Sequence, residues 1–303
     1  MKRHIFSGCG TALITPFDCE TGRIDLLFFE RLIRFQIQGG ADALIVAGTT
    51  GESPVLTAEE KARLFETAVN AAGRKVPVIA GTGSNDTGAA VRNSNEAEKK
   101  GVDGLLIVTP FYNKCTQEGL VRHYTYIADR VSTPIIVYNV PSRTGVSILP
   151  ETYKALAEHK NIVAVKEANG DISSVAKTRA LCGESLDIYS GNDDQTAAVM
   201  ALGGKGVISV ASNVIPREMH ELTQAALQGD CETAAAIQRE YQRLMNLLFC
   251  EVNPIPVKAA EEMMFARKLP LRLPLTELTA QNREKLKHEM KSLKLLDNEN
   301  LLC

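Results

Sequence analysis

Eight short runs rich in valine, isoleucine and leucine constrain this chain more than any other feature. They cover 10–15, 43–47, 77–80, 104–109, 134–138, 162–166, 186–190 and 206–210. Each is bounded by Gly, Pro, Asn or Asp, and the segments between them have helical periodicity. This is the rhythm of βα units, and near-continuous apolar strands fit a parallel sheet covered on both faces. Thr57-Ala-Glu-Glu60 is a helix-starting capping box, and Gly73 closes the same helix. Closed on themselves, the eight units make an α/β fold of the (β/α)8 TIM-barrel type. A doubly wound open sheet is the alternative. Against it, no G-x-G-x-x-G follows the first run, and polar residues follow runs two, four, five, six and seven alike, as loops around one mouth would require. Beyond the eighth run the alternation stops. The spacing therefore predicts a barrel over residues 1–230 and a helical appendage over 231–303, with a helix starting at Asn253-Pro-Ile-Pro256.

Composition narrows the function. The 34 basic and 36 acidic residues give a net charge of −2, with no Lys/Arg block. Such a balance lacks the electrostatic footprint of nucleic-acid binding. No run approaches the roughly 20 apolar residues of a membrane span. The first seventeen residues are too interrupted for a signal peptide, so a cytoplasmic location is expected. Seven scattered cysteines without a C-x-x-C pair read as reduced thiols. Five dispersed histidines form no metal-ligand spacing, and Asp193 and Asp194 read as helix-start residues rather than a metal pair. G-x-S-x-G and P-loop motifs are absent, so the usual hydrolase and nucleotide-binding signals are missing and the chemistry must come from elsewhere.

Lys166 ends the sixth run, at the strand terminus that forms the active-site face of a barrel. It could snorkel to solvent or pair with Glu167. Desolvated at the mouth, it would instead offer a neutral amine to a carbonyl, which is Schiff-base chemistry. Gly48-Thr-Thr-Gly-Glu-Ser53 follows the second run, and Thr49 and Thr50, with glycine-opened backbone amides, could receive a carboxylate. Tyr138 and Tyr112 follow or close runs at the same face, where a phenol could shuttle protons or simply fill core. Arg143, just beyond Tyr138, could hold a second carboxylate. Gly203-Gly-Lys-Gly206 precedes the eighth run and reads as a tight turn at the opposite end.

Six motifs together resemble the dihydrodipicolinate synthase / N-acetylneuraminate lyase family of class I aldolases over essentially the whole length. They are Gly48-Thr-Thr-Gly-Glu-Ser53, Thr109-Pro-Phe-Tyr-Asn113, Tyr138-Asn-Val-Pro-Ser-Arg-Thr144, Val165-Lys-Glu167, Gly191-Asn-Asp-Asp194 and Gly206-Val-Ile-Ser209. The resemblance implies that Lys166 forms an imine with pyruvate, without metal or organic cofactor, and that Thr50 and the neighbouring amides bind its carboxylate. Tyr138, Thr49 and Tyr112 would form a proton relay, Tyr112 being lent across a subunit interface. Gly191 and Ile208 would offer backbone carbonyls to substrate, and Arg143 would anchor aspartate semialdehyde. A homotetramer built as a dimer of dimers is implied as well. Sialic-acid and 2-oxo-3-deoxy sugar-acid lyases are the alternative within the family, and Ser142-Arg-Thr144 favours the aspartate semialdehyde branch.

Lysine-inhibited members line an interface cleft with small polar residues, histidines and a glutamate. Here Pro54, Ala58, Lys61, Ala89 and Phe111 stand at the matching positions, while Ser53 and Asn85 remain. The expectation is weak or absent inhibition by lysine.

Overall fold

A computed structural model describes residues 3–296; Cys303 and the rest of 297–303 lie outside the described residues. The strands are β1 (Gly8–Ala12), β2 (Ala43–Val46), β3 (Val78–Gly81), β4 (Gly104–Val108), β5 (Ile135–Asn139), β6 (Ile162–Glu167), β7 (Asp187–Ser190) and β8 (Gly206–Ser209). All pair in parallel in chain order, and β1 returns to β8, so the sheet is a closed barrel rather than an open one. Nearly every strand residue is buried, because side chains alternate between a filled lumen and the helix layer outside.

The first strand begins and ends earlier than the apolar run. Gly8 and Gly10 open it, since β1 and β8 approach so closely that a Cβ on Gly206 would lie 1.9 Å from the Gly8 carbonyl oxygen. Leu13 and Ile14 are buried but lie beyond the strand; the Leu13 amide donates to Ile45 at 3.0 Å as the chain leaves for the mouth. Apolarity marked burial there, not strand pairing.

Helices between the strands cover the barrel: α1 (Leu26–Gln38), α2 (Ala58–Ala72), α3 (Thr87–Lys99), α4 (Gln117–Ala128), α5 (Pro141–Thr144), α6 (Pro150–Leu156), α7 (Ile172–Cys182), α8 (Thr196–Ala201) and α9 (Pro216–Leu227). The capping box of Thr57 and Glu60 is formed at the start of α2, and left-handed Gly73 ends it. At the lower end, Phe6 lies flat on Tyr189 with ring centroids 4.3 Å apart, and the Tyr189 hydroxyl donates to the Phe6 carbonyl at 2.5 Å. His4 is 2.7 Å from Asp187 and 3.0 Å from the Ser7 hydroxyl, pinning the N-terminal segment under β7.

Then come α10 (Cys231–Leu247), α11 (Ile255–Met264) and α12 (Ala280–Ser292). Met245, Leu248, Val257 and Met290 share one apolar cluster with Cys9, Val207, Phe28 and Leu32 of the barrel. Each fully buried side chain of this size contributes roughly 1.5–3 kcal/mol, so the late helices are clamped to one side of the barrel. Among the described residues, no helix is long and apolar enough to cross a membrane.

Candidate active site

Lys166 stands near the C-terminal end of β6, in register with Tyr138 on β5 and Tyr189 on β7. Its side chain faces the lumen and the residue is only 5% exposed. Burial lowers its pKa to about 8; Asp193 opposes the shift and the Arg143 guanidinium adds to it. At pH 7 about a tenth of such amines are neutral, against about three in ten thousand for a lysine of ordinary pKa. The Nζ atom lies 4.5 Å from the centroid of the Tyr138 ring.

A cavity of about 150 Å³ opens above this amine, bounded by Thr49, Thr50, Tyr138, Arg143, Lys166 and Gly191 among others. Six of the eight residues singled out in the sequence are thus brought together from the ends of four strands or the loops beyond them. The Tyr138 hydroxyl is hydrogen-bonded to Thr49; burial raises its pKa, while Arg143 and that bond pull it down. The loop carrying Thr49 and Thr50 is tightly folded, with Ala47 and Glu52 both in the left-handed region (φ 52° and 55°). The Thr15 hydroxyl donates to the Gly51 carbonyl at 2.7 Å, and Asn253 Nδ2 donates to Thr50 Oγ1 at 3.0 Å. Arg143 sits in α5, which Pro141 starts and left-handed Gly145 ends; its guanidinium donates to the Asn253 carbonyl at 3.1 Å. Gly191 permits the end of β7 to close on β6: its amide donates to Glu167 at 2.7 Å, and a Cβ there would lie 2.6 Å from that of Ala168.

Two of the eight lie apart. Ile208 is buried inside β8, opposite Gly10, and Val210 rather than Ile208 reaches the cavity wall. Tyr112 is 92% exposed, with φ 69°, and does not line its own chain's cavity. A second, larger cavity of about 550 Å³ adjoins the first, sharing Thr49, Tyr138 and Arg143 and extending past Lys61 and Phe111.

Sequence reasoning passed over two groups. Asp193 does not cap its own helix turn. It is buried, accepts from the amides of Val210 and Ala211 at 3.1 and 2.9 Å, and tempers the acidity of Lys166 across the lumen. Its position directly after the seventh run was the available signal. Asn253 reaches the site from the late helices and touches both Thr50 and Arg143, a contact that no local pattern announces. Behind β6, Glu167 accepts from Tyr153 at 2.7 Å, from Asn139 at 2.9 Å and from the Asn169 amide at 2.9 Å; burial nevertheless raises its pKa to about 7. Glu167 therefore bonds to the outer layer and leaves Lys166 without it as a counter-ion.

Residues 5–293 match the dihydrodipicolinate synthetase family. The 4-hydroxy-tetrahydrodipicolinate synthase of Alkaliphilus oremlandii is 49% identical over 292 residues, covering 96% of this chain and 100% of that protein. A crystal structure of dihydrodipicolinate synthase from Thermotoga maritima is 45% identical and superposes with a TM-score of 0.94, covering 97% of this chain and 100% of the other. The chloride-inhibited dihydrodipicolinate synthase of Acinetobacter baumannii, solved complexed with pyruvate, is 39% identical with a TM-score of 0.93, covering 95% and 99%. By sequence and by fold, the chain belongs to the dihydrodipicolinate synthetase family.

Proposed function

We propose that this enzyme is a lyase that condenses pyruvate with L-aspartate 4-semialdehyde to give 4-hydroxy-tetrahydrodipicolinate and water, in lysine and diaminopimelate biosynthesis. The observation that carries the mechanism is the buried Lys166 amine, held near pKa 8 at the floor of a cavity just large enough for a small keto acid. Neutral Lys166 adds to C2 of pyruvate, and loss of water from the carbinolamine leaves an imine. A methyl proton then departs, and the resulting enamine forms the new carbon–carbon bond to the aldehyde. The amine of the second substrate attacks C2, expels Lys166 and closes the ring. Tyr138, linked to Thr49, supplies and removes protons at the carbinolamine hydroxyl and the aldehyde oxygen.

Thr50, with the amides of residues 49 and 50, receives the pyruvate carboxylate; Arg143 receives that of the aldehyde substrate, as a guanidinium suits. The Gly191 and Ile208 carbonyls take the donors of bound substrate. Tyr112 completes the relay of a second copy, a reading supported by its exposure beside the larger cavity. The working assembly is then a homotetramer of two such dimers, made of a catalytic barrel over 1–230 and a helical appendage over 231–303. No cofactor is required. Cys9, Cys19, Cys115, Cys231 and Cys250 are free thiols, which suits the cytoplasm. Pro54, Lys61 and Phe111 line the larger cavity and give a cationic ligand no carboxylate, so feedback by lysine is weak or absent.

Borohydride reduction in the presence of pyruvate tests the mechanism. One pyruvate-derived adduct is expected, on the peptide containing Lys166; an adduct elsewhere or none at all ends the reading. A coupled assay comparing aspartate semialdehyde, N-acetylneuraminate and 2-oxo-3-deoxygluconate tests the substrate, with preference for the first expected.

A further inference from the structure

Behind the threonine loop lies an ion pair that the reaction does not use. Lys258, in α11, is 1% exposed, and its ammonium is 2.5 Å from the carboxylate of Glu52, which is 2% exposed. The same ammonium donates to the Pro270 carbonyl at 2.8 Å and lies 4.3 Å from the centroid of the Phe17 ring. The other Glu52 oxygen accepts from the Arg272 amide at 3.0 Å, and the Arg272 side chain donates to the Val55 carbonyl at 2.9 Å. Glu52 is held left-handed, a conformation that costs a non-glycine residue free energy and persists only where its surroundings impose it. Two residues earlier, Thr50 is gripped by Asn253 of the segment that leads into α11.

Stability alone accounts poorly for such a pair. Desolvating two charges offsets much of their attraction, and apolar side chains of similar volume commonly hold a fold as well or better. What the pair achieves, and apolar packing would not, is a fixed distance and direction between α11 and one residue of a strained loop. The loop itself carries Thr49 and Thr50 into the cavity.

We propose that Glu52 and Lys258 are positioning residues: through their buried contact, the late helices set the placement of Thr49 and Thr50 and so the affinity of the site for a keto acid. Neither residue touches substrate. The inference rests on the reading of Thr50 as the carboxylate receptor, and it adds a specific cause for the loop's geometry.

The test compares the full-length wild type with Glu52→Gln/Lys258→Met, which removes both charges together and leaves neither stranded. The pyruvate concentration for half-maximal borohydride trapping is expected to rise about tenfold, as for a small misplacement of a binding group. The trapping rate at saturation and its pH midpoint near 8 should stay within about twofold, because Lys166 keeps its surroundings. Adding Thr50→Val to both proteins should remove the difference between them, an outcome that general loosening would not produce. Amide hydrogen exchange across residues 48–53 should quicken in the double variant, and this readout does not depend on catalysis. A double variant that folds, traps pyruvate at the wild-type half-saturation and shows unchanged exchange overturns the proposal. If the double variant does not fold, Lys258→Arg keeps the charge and shifts the contact; a severalfold higher half-saturation supports the proposal, and an unchanged one overturns it. A wild type that traps no pyruvate would strike the reaction itself, while the exchange comparison would still decide whether the pair places the loop.

Discussion

At the lower end of the barrel, Phe6 stacks on Tyr189, the phenol bonds to backbone, and His4 closes against Asp187 and Ser7. At the upper end the same strands lead to Lys166, buried with a depressed pKa, and to Asp193 and Asn253, each with a buried oxygen that lacks a hydrogen-bond partner. Packing closes the lower end, whereas a cavity opens at the upper one. They differ in whether polar groups are satisfied by the protein or left for something else to satisfy. Buried polar groups are nearly always paired, and the unpaired Asn253 oxygen borders the cavity that the proposed substrate would fill. The closed end stabilises; the open end holds its reactive groups at a cost that the rest of the fold offsets.

Substitutions at the two ends should therefore separate cleanly. The largest effect is expected for Lys166→Ala: no borohydride adduct, and turnover in a coupled assay reduced by at least about a thousandfold, since the covalent route is lost. Tyr138→Phe removes the proton carrier and keeps the ring beneath the amine, so turnover should fall about a hundredfold while slow trapping continues. Without mutation, the rate of trapping at limiting pyruvate should rise about fivefold from pH 7 to pH 8 and level off above pH 9, because only the neutral amine reacts. The direction follows from a lysine whose pKa is lowered to about 8; a profile still climbing steeply at pH 10 would break the contrast between the two ends.

Phe6→Ala should do the reverse of the mouth variants. Loss of this buried ring is expected to cost about 3–4 kcal/mol in urea unfolding while kcat stays within about twofold. A large fall in kcat at wild-type stability would show that the lower end communicates with the site. The smallest expected effect is that of free lysine: at 1 mM, on the order of ordinary cellular ligand levels, it should leave the rate unchanged. Clear inhibition would mean that the larger cavity accepts a cationic amino acid despite Lys61.

Much of this contrast was legible before any coordinates. Strands buried on both faces are written as apolar runs, so seven of them were located closely, and Lys166 stood out because a cation ended one. The first strand was misplaced because glycines make its ladder and apolar side chains follow it. Thr49, Thr50, Tyr138 and Arg143 followed from their places at or after strand ends, and Gly191 from the resemblance to the family. Asp193, Asn253 and Lys258 did not, since what makes them part of the site is burial against segments remote in sequence: Asp193 bonds to residues 210 and 211, Asn253 to Thr50, and Lys258 to Glu52. Local patterns report neighbours along the chain; these contacts exist only after the barrel has closed.

The grip on Thr50 and Glu52 comes from residues 253–272. A ribosome delivers the reacting lysine well before it delivers that grip. Until residues 253–272 have been made, the loop of Thr49 and Thr50 lacks the contacts that brace it.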